Sequence, residues 1–320
     1  MKRGLVELDP AEAAERAQRV EALRERTRAA GAGLALIYGD VSRSDDIAYL
    51  TNLCIYWNEG VLAVPVDGEP ALLAKLSKRV HPWMRATSTL EDLRSSPDLP
   101  GLVSDFAGNR ERIALVDREL WPSALADGLE RACAGAELVD LPDAVRSARL
   151  VPSPQELGLL RDAGSSLARA LGAADAPAVE RALRRGGATD AFVYQQRAAD
   201  GTVSMDATVQ QRTLWARAAR AANGPAGNRL NALLLDAAAA LRPGAPTPAA
   251  PEGAGLTCTS HADLATGGEL RALSATNGQP LRPGEVVTLA MSAPDADGPA
   301  VAAGTYLVTA TGTECLTGDR

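Results

Sequence analysis

The sequence predicts an α/β protein of two domains, and three observations carry that expectation. Its 320 residues exceed what one ordinary core needs, at about 100–200 residues per domain. The first half alternates short apolar runs with helix-like stretches, the pattern of a mixed sheet flanked by helices. The third signal is Leu150-Val151-Pro152-Ser153-Pro154-Gln155-Glu156, which has the punctuation of a domain junction. Ser153 is an N-cap, Pro154 takes the first helical position, and Glu156 follows the cap by three residues. The expected domains are residues 1–147 and 148–320.

A charged helix from Asp9 to Arg28 leads into the apolar strand Leu34–Tyr38, which ends at Gly39-Asp40. Strands at 60–66 and 71–74 flank Asp67-Gly68, a strong hairpin signal because both residues tolerate the left-handed turn that strand twist requires. Strands at 112–117 and 137–141 enclose a helix over 122–134. After the junction, a helix is expected from Ser153 towards Leu171. Two more are expected over Thr213–Ala222 and Asn228–Leu241, the last ended by Arg242-Pro243-Gly244. Residues 245–255, rich in Pro, Ala and Gly, read as a loop. Strands at 286–291 and 305–309 follow, with an Asp-Gly-Pro turn at 297–299 between them.

Composition narrows the function classes. With 33 basic against 40 acidic side chains, a net charge of −7 and no basic block, the chain lacks the positive footprint of a nucleic-acid binder. No apolar run approaches the ~18 residues of a bilayer span. Charges occupy the place where a signal peptide has its apolar core. A cytoplasmic protein with small-molecule partners is expected. Cys54, Cys133, Cys258 and Cys315 form no C-x-x-C pair, so neither a zinc knuckle nor a disulfide framework is indicated. His81 and His261 are the two histidines, too few for a three-histidine metal site.

Four segments together resemble the creatinase, prolidase and aminopeptidase P family. Ile47-Ala48-Tyr49-Leu50-Thr51-Asn52, then Gly60-Val61-Leu62-Ala63-Val64-Pro65 and Gly68-Glu69-Pro70, are similar to its "YLTG…GVLLVP…GEP" opening. The 148–157 junction is similar to "R-x-V-K-S-P-x-E-I". Leu281-Arg282-Pro283-Gly284-Glu285-Val286-Val287-Thr288-Leu289 resembles "LEPGMVFTIEPG", and residues 305–317 resemble "EDTVLVTEDGPEVLT". The resemblance implies a creatinase-like N-terminal mixed-sheet domain followed by a pita-bread domain. The short, alanine-rich stretch before His261 suggests that the latter is trimmed.

The family's hydrolases hold two divalent metals between two aspartates, a histidine and two glutamates, ligands that activate a bridging water. Laid on this chain, the two glutamates fall at Ala290 and Ala303. The histidine falls at His261 and a second family histidine at Gly267. One aspartate falls at Asp206 and the other near Gln195. At most two of the five ligands are kept, so no metal and no other cofactor is expected.

The candidate catalytic residues are therefore His261, whose ordinary pKa suits proton transfer near neutrality, and Asp206, which could orient or protonate a substrate. Against these stand a relic loop histidine and an aspartate that caps a turn. Tyr56 and Trp57 are candidate substrate-binding residues, since aromatics form 3% of the chain and the resemblance implies that this loop reaches an active site, in several members across a dimer interface. A plug in the local core is the alternative. Asp263 joins them through its place beside His261. His81-Pro82-Trp83 reads as packing at a helix start, and Glu285, after a Pro-Gly turn, as solvent-exposed.

The expected function is a metal-independent enzyme acting on a small amino-acid-derived, guanidino or imino substrate by C–N cleavage, dehydration or cyclisation, in biosynthesis. Creatinase, which works by histidine acid–base catalysis without metal, shows that the resemblance allows this. The alternative is a non-catalytic pseudo-peptidase that binds a peptide or protein, and an intact peptidase comes third. A homodimer is expected through the N-terminal domain.

Overall fold

The computed structural model describes residues 10–55, 58–197, 201–222, 225–263, 280–293 and 300–318. It divides into two compact units, Met1–Arg149 and Leu150–Arg320.

The first unit runs α1 (Pro10–Ala29), β1 (Leu34–Asp40), α2 (Asp45–Thr51), β2 (Glu59–Pro65), β3 (Ala71–Ala74), α3 (His81–Thr87) and β4 (Asp92–Ser95). It continues with α4 (Leu99–Ala107), β5 (Arg112–Val116), α5 (Ser123–Ala132), β6 (Glu137–Leu141) and α6 (Arg146–Arg149). The sheet order is β4-β3-β2-β1-β5-β6, with β1–β2 and β2–β3 antiparallel and the other pairs parallel. Strand β1 is apolar at successive positions because both of its faces are covered. Ala35 and Ile37 pack with Val20, Leu23, Ile47 and Leu50 of α1 and α2, whereas Leu34 and Leu36 pack with Leu99, Val103, Leu125 and Leu129 of α4 and α5. Gly39 suits the close approach of α2, since a Cβ there would lie 2.6 Å from Ile47 Cδ1 and displace it. His81 opens α3 with its Nε2 2.8 Å from Ser95 Oγ. Burial, then Arg85 and Lys78, lowers its pKa.

Asp117, just after β5, has a left-handed φ of 50°, and its Oδ1 accepts the Asp143 backbone N–H at 2.6 Å. Burial, aided by Asp46, Asp143 and Asp140, pushes its carboxyl up to about 6 against the pull of that hydrogen bond. A carboxyl raised on folding binds its proton more tightly in the native state. Its contribution is therefore fully present below the unfolded value of about 4 and is lost as pH rises through about 6. Asp117→Asn keeps an acceptor for Asp143 and tolerates the same φ. It should raise Tm by roughly 2–4 °C at pH 8 and leave it unchanged near pH 4, which a thermal scan at the two pH values checks.

The second unit runs α7 (Pro154–Ala170), α8 (Ala176–Arg185), β7 (Asp190–Arg197), β8 (Val203–Gln211), β9 (Leu214–Ala222) and α9 (Pro225–Ala240). After these come β10 (Gly255–Ser260), β11 (Val286–Ala293), β12 (Ala300–Val308) and β13 (Thr313–Cys315). Ser153 and Glu156 close the expected capping box at the start of α7. The strands form one antiparallel sheet in the order β10-β11-β12-β9-β8-β7, with β13 on β12.

Period-2 alternation sorts the side chains of this sheet. Met205, Ala207, Val209, Ala216 and Ala218 face Leu160, Ala163, Leu167, Val179 and Leu183 of α7 and α8. Val287, Leu289, Met291, Ala302 and Tyr306 pack with Leu230, Leu234 and Ala237 of α9. Gly164 lets α7 lie directly on the chain after β13, since a Cβ there would sit 2.0 Å from Leu316 O.

Residues 214–222 are a strand, not the helix that the alanine and arginine content of 213–222 predicts. Pairing with β8 along the whole of β9 and contact with β12 at Ala219↔Ala303 override that propensity. Glu285 is also not exposed. It is buried, its backbone carbonyl accepts from Val308, and Arg282 lies over its carboxylate at 3.7 Å.

Candidate active site on the C-terminal sheet

One cross-strand row organises the sheet face turned away from α7, α8 and α9. Tyr194 pairs with Asp206, Asp206 with Ala219, Ala219 with Ala303, Ala303 with Ala290, and Ala290 with Thr257. Directly paired residues share a face, so the row puts Asp206 beside a floor of three small side chains. Ala219, Ala290 and Ala303 are buried and pack on one another. The structure thus brings together Asp206 and the two alanines that stand where the resemblance implies glutamates.

Asp206 is held by Arg217 from β9, a residue that sequence reasoning missed. The guanidinium donates from Nε to Oδ1 at 3.0 Å and from Nη2 to Oδ2 at 2.7 Å. The side chains are 15% (Arg217) and 13% (Asp206) exposed, so this is a sheltered, two-pronged pair. Arg217 sits in the adjacent row of the same face, opposite Thr208, which pairs with Phe192. The Arg217 backbone N–H donates to Thr305 Oγ1 at 3.1 Å, and that hydroxyl gives its proton to Arg217 O at 2.9 Å. Thr288, 3.1 Å away, therefore donates to Thr305, because a hydroxyl has one proton. Thr259 lies opposite Thr288, which extends the hydroxyl-rich strip to β10.

His261 follows β10 and is buried at 5% exposure. Its Nδ1 lies 3.3 Å from the Val286 carbonyl. A carbonyl only accepts, so the neutral ring carries its proton on Nδ1 and its lone pair on Nε2. The turn that carries His261 lies against β9 and β11, and His261 makes no hydrogen bond with Asp206. Tyr56, Trp57 and the side chain of Asp263 lie outside the described residues.

Among the described residues the donor set does not fit a divalent metal pair. Both oxygens of Asp206 are engaged by a cation, the neighbouring positions are alanines without donor atoms, and a fixed guanidinium repels a metal ion. Among the described residues no group of three or more His, Cys, Asp or Glu is placed to hold a metal. Arg217 escaped notice because 213–222 read as a helix. The signal that finds it is the alternation of Trp215, Arg217 and Ala219 with Ala216 and Ala218, which is strand-like.

No helix among the described residues is long and apolar enough to cross a membrane. Residues 19–151 match the model of the Creatinase/Prolidase N-terminal domain. No curated protein sequence matches the chain. Among solved structures, the prolidase from Pyrococcus horikoshii OT3 superposes with a TM-score of 0.74 at 14% identity, over 95% of this chain and 99% of that one. An Xaa-Pro dipeptidase from Bacillus anthracis gives 0.74 at 14% identity, over 95% and 98%. The dipeptidase PepE from Mycobacterium ulcerans gives 0.71 at 18% identity, over 98% of each chain. Residues 19–151 therefore carry a Creatinase/Prolidase N-terminal domain, and the chain over its length has the pita-bread fold of the solved prolidases.

Proposed function

We propose that the protein is a metal-independent enzyme acting on a small amino-acid-derived, guanidino or imino substrate, by C–N cleavage, dehydration or cyclisation. The observation that carries this reading is the closure of Asp206 by Arg217 beside Ala219, Ala290 and Ala303. Among the described residues the face keeps polar side chains for binding, and alanine stands at 290 and 303 where the resemblance implies glutamates. His261 is the proton-transfer group, with its tautomer set by Val286 O. Asp206 acts by fixing Arg217, and Asp263, Tyr56 and Trp57 are the proposed substrate-binding residues. A homodimer joined through the N-terminal domain belongs to the same reading.

The test is turnover of a panel of Xaa-Pro dipeptides, N-acylated amino acids and guanidino acids by protein dialysed against a strong chelator. Turnover on at least one member, equal before and after chelation, is expected. Loss of turnover on chelation with recovery on adding Mn or Co contradicts the reading. No turnover on any member, with saturable binding of a peptide, favours the non-catalytic alternative, for which the locked Asp206 is the supporting observation.

A further inference from the structure

Two buried polar atoms of the second unit have no hydrogen-bond partner among the described residues, Thr208 Oγ1 and Trp215 Nε1. Thr208 is fully buried and Trp215 is 3% exposed. They are neighbours on the sheet face described above. Thr208 pairs directly with Arg217, and Trp215 stands two residues before Arg217 on the same face of β9. Phe192 stacks on the indole at 5.9 Å, which fixes the ring. A buried donor without an acceptor is costly, and native structures place few of them. Two on neighbouring positions of one sheet face indicate that something else supplies the acceptor.

The chemistry of the donors says what that is. An indole N–H and a guanidinium donate and never accept. Arg217 spends Nε and Nη2 on Asp206, and its Nη1 has no partner among the described residues. Trp215 Nε1, Thr208 Oγ1 and Arg217 Nη1 thus call for a group rich in acceptor oxygens. Asp206 already offsets Arg217, so a dianion such as phosphate would bring two uncompensated charges where a carboxylate brings one. A planar monoanion with two acceptor oxygens matches these donors, and the neighbouring floor at 219, 303 and 290 carries only methyl side chains.

We propose that Trp215, Thr208 and the open edge of Arg217 bind the carboxylate of a small amino-acid-derived ligand lying over the alanine floor. The inference rests on the proposed function for the place of the site, and it names the group that orients the ligand there. Because binding is read without turnover, the two can fail separately.

The experiment is a titration of full-length protein carrying 15N-labelled tryptophan, followed by its indole N–H resonances, with that of Trp215 identified by Trp215→Phe. N-acetylglycine is the probe, with N-acetylglycinamide and inorganic phosphate as comparisons. A saturable shift of the Trp215 indole with N-acetylglycine is expected, with Trp83 and Trp121 unmoved and neither comparison acting at equal concentration. Thr208→Val should weaken binding by about tenfold or more, the worth of one hydrogen bond to a charged acceptor, and Thr208→Ser should restore it. A Trp215 resonance that does not move, or that moves equally with the amide, overturns the proposal. So does a Thr208→Val protein that binds as tightly as the parent. Chelator-insensitive turnover with no Trp215 response would overturn this inference alone, whereas binding without turnover would overturn only the enzyme reading.

Discussion

His261→Ala is expected to lower turnover in the chelated assay by about 10²–10⁴-fold, the usual worth of a positioned acid–base group. The ring is buried, with Nδ1 against Val286 O, so the lone pair is confined to Nε2 and cannot be exchanged with the other nitrogen without breaking that contact. His81, the other histidine of the chain, packs in the first unit against Ser95 and offers no substitute. Taken as a polar-loop residue, His261 would be removable without loss of stability. Its burial changes that expectation, because Ala leaves a cavity and an unpartnered carbonyl. His261→Gln separates the two effects, since its amide can donate to Val286 O but cannot act as a base near neutrality. Equal loss of turnover in both variants, with the larger fall in Tm confined to Ala, is the expected pattern. A Gln variant that keeps turnover would remove His261 from the chemistry.

Arg217→Met is expected to destabilise the protein by about 3 kcal/mol, the lower end of the cost of leaving a sheltered charge without its partner. Asp206 would keep its place on β8 opposite Ala219 with 13% exposure and would lose the two hydrogen bonds it accepts from Arg217. For a unit of this size that corresponds to roughly 6–12 °C in Tm. The double variant Arg217→Met with Asp206→Leu should regain most of the loss, because an apolar pair of similar volume avoids the desolvation cost. Denaturant unfolding of the single and double variants measures both. A loss under about 1 kcal/mol in the single variant would place the pair with ordinary surface salt bridges and weaken its role as the organiser of the site.

Local signals were enough where each element carries its own. Strand β1 lies between two apolar layers and so reads as an unbroken apolar run, the Asp67-Gly68 hairpin joins β2 to β3 as expected, and the capping box marks the start of α7. The expected junction at 147/148 compares with a division after Arg149. Strand β9 was illegible for a physical reason. Alanine and arginine are helix formers, and what makes 214–222 a strand is its place between β8 and β12, which no local window contains.

The site follows the same division. Asp206, Ala290 and Ala303 are found by order along the chain, while the partner of Asp206 becomes visible only when β8 and β9 are paired. Glu285 reads as exposed from its Pro-Gly turn, yet the β11–β12 pairing buries it. The hydroxyl strip of Thr208, Thr305, Thr288 and Thr259 looks in sequence like ordinary strand threonines, and only the register gathers it on one face.

The measurement that bears most directly on a site working without metal is the metal content of the protein after equilibration with excess Mn, Co or Zn and removal of free ion. With Arg217 on Asp206 and alanine at 219, 290 and 303, no stoichiometric metal should stay bound. Two equivalents per chain, held at the C-terminal sheet and lost on replacing Asp206 by Asn, would contradict it.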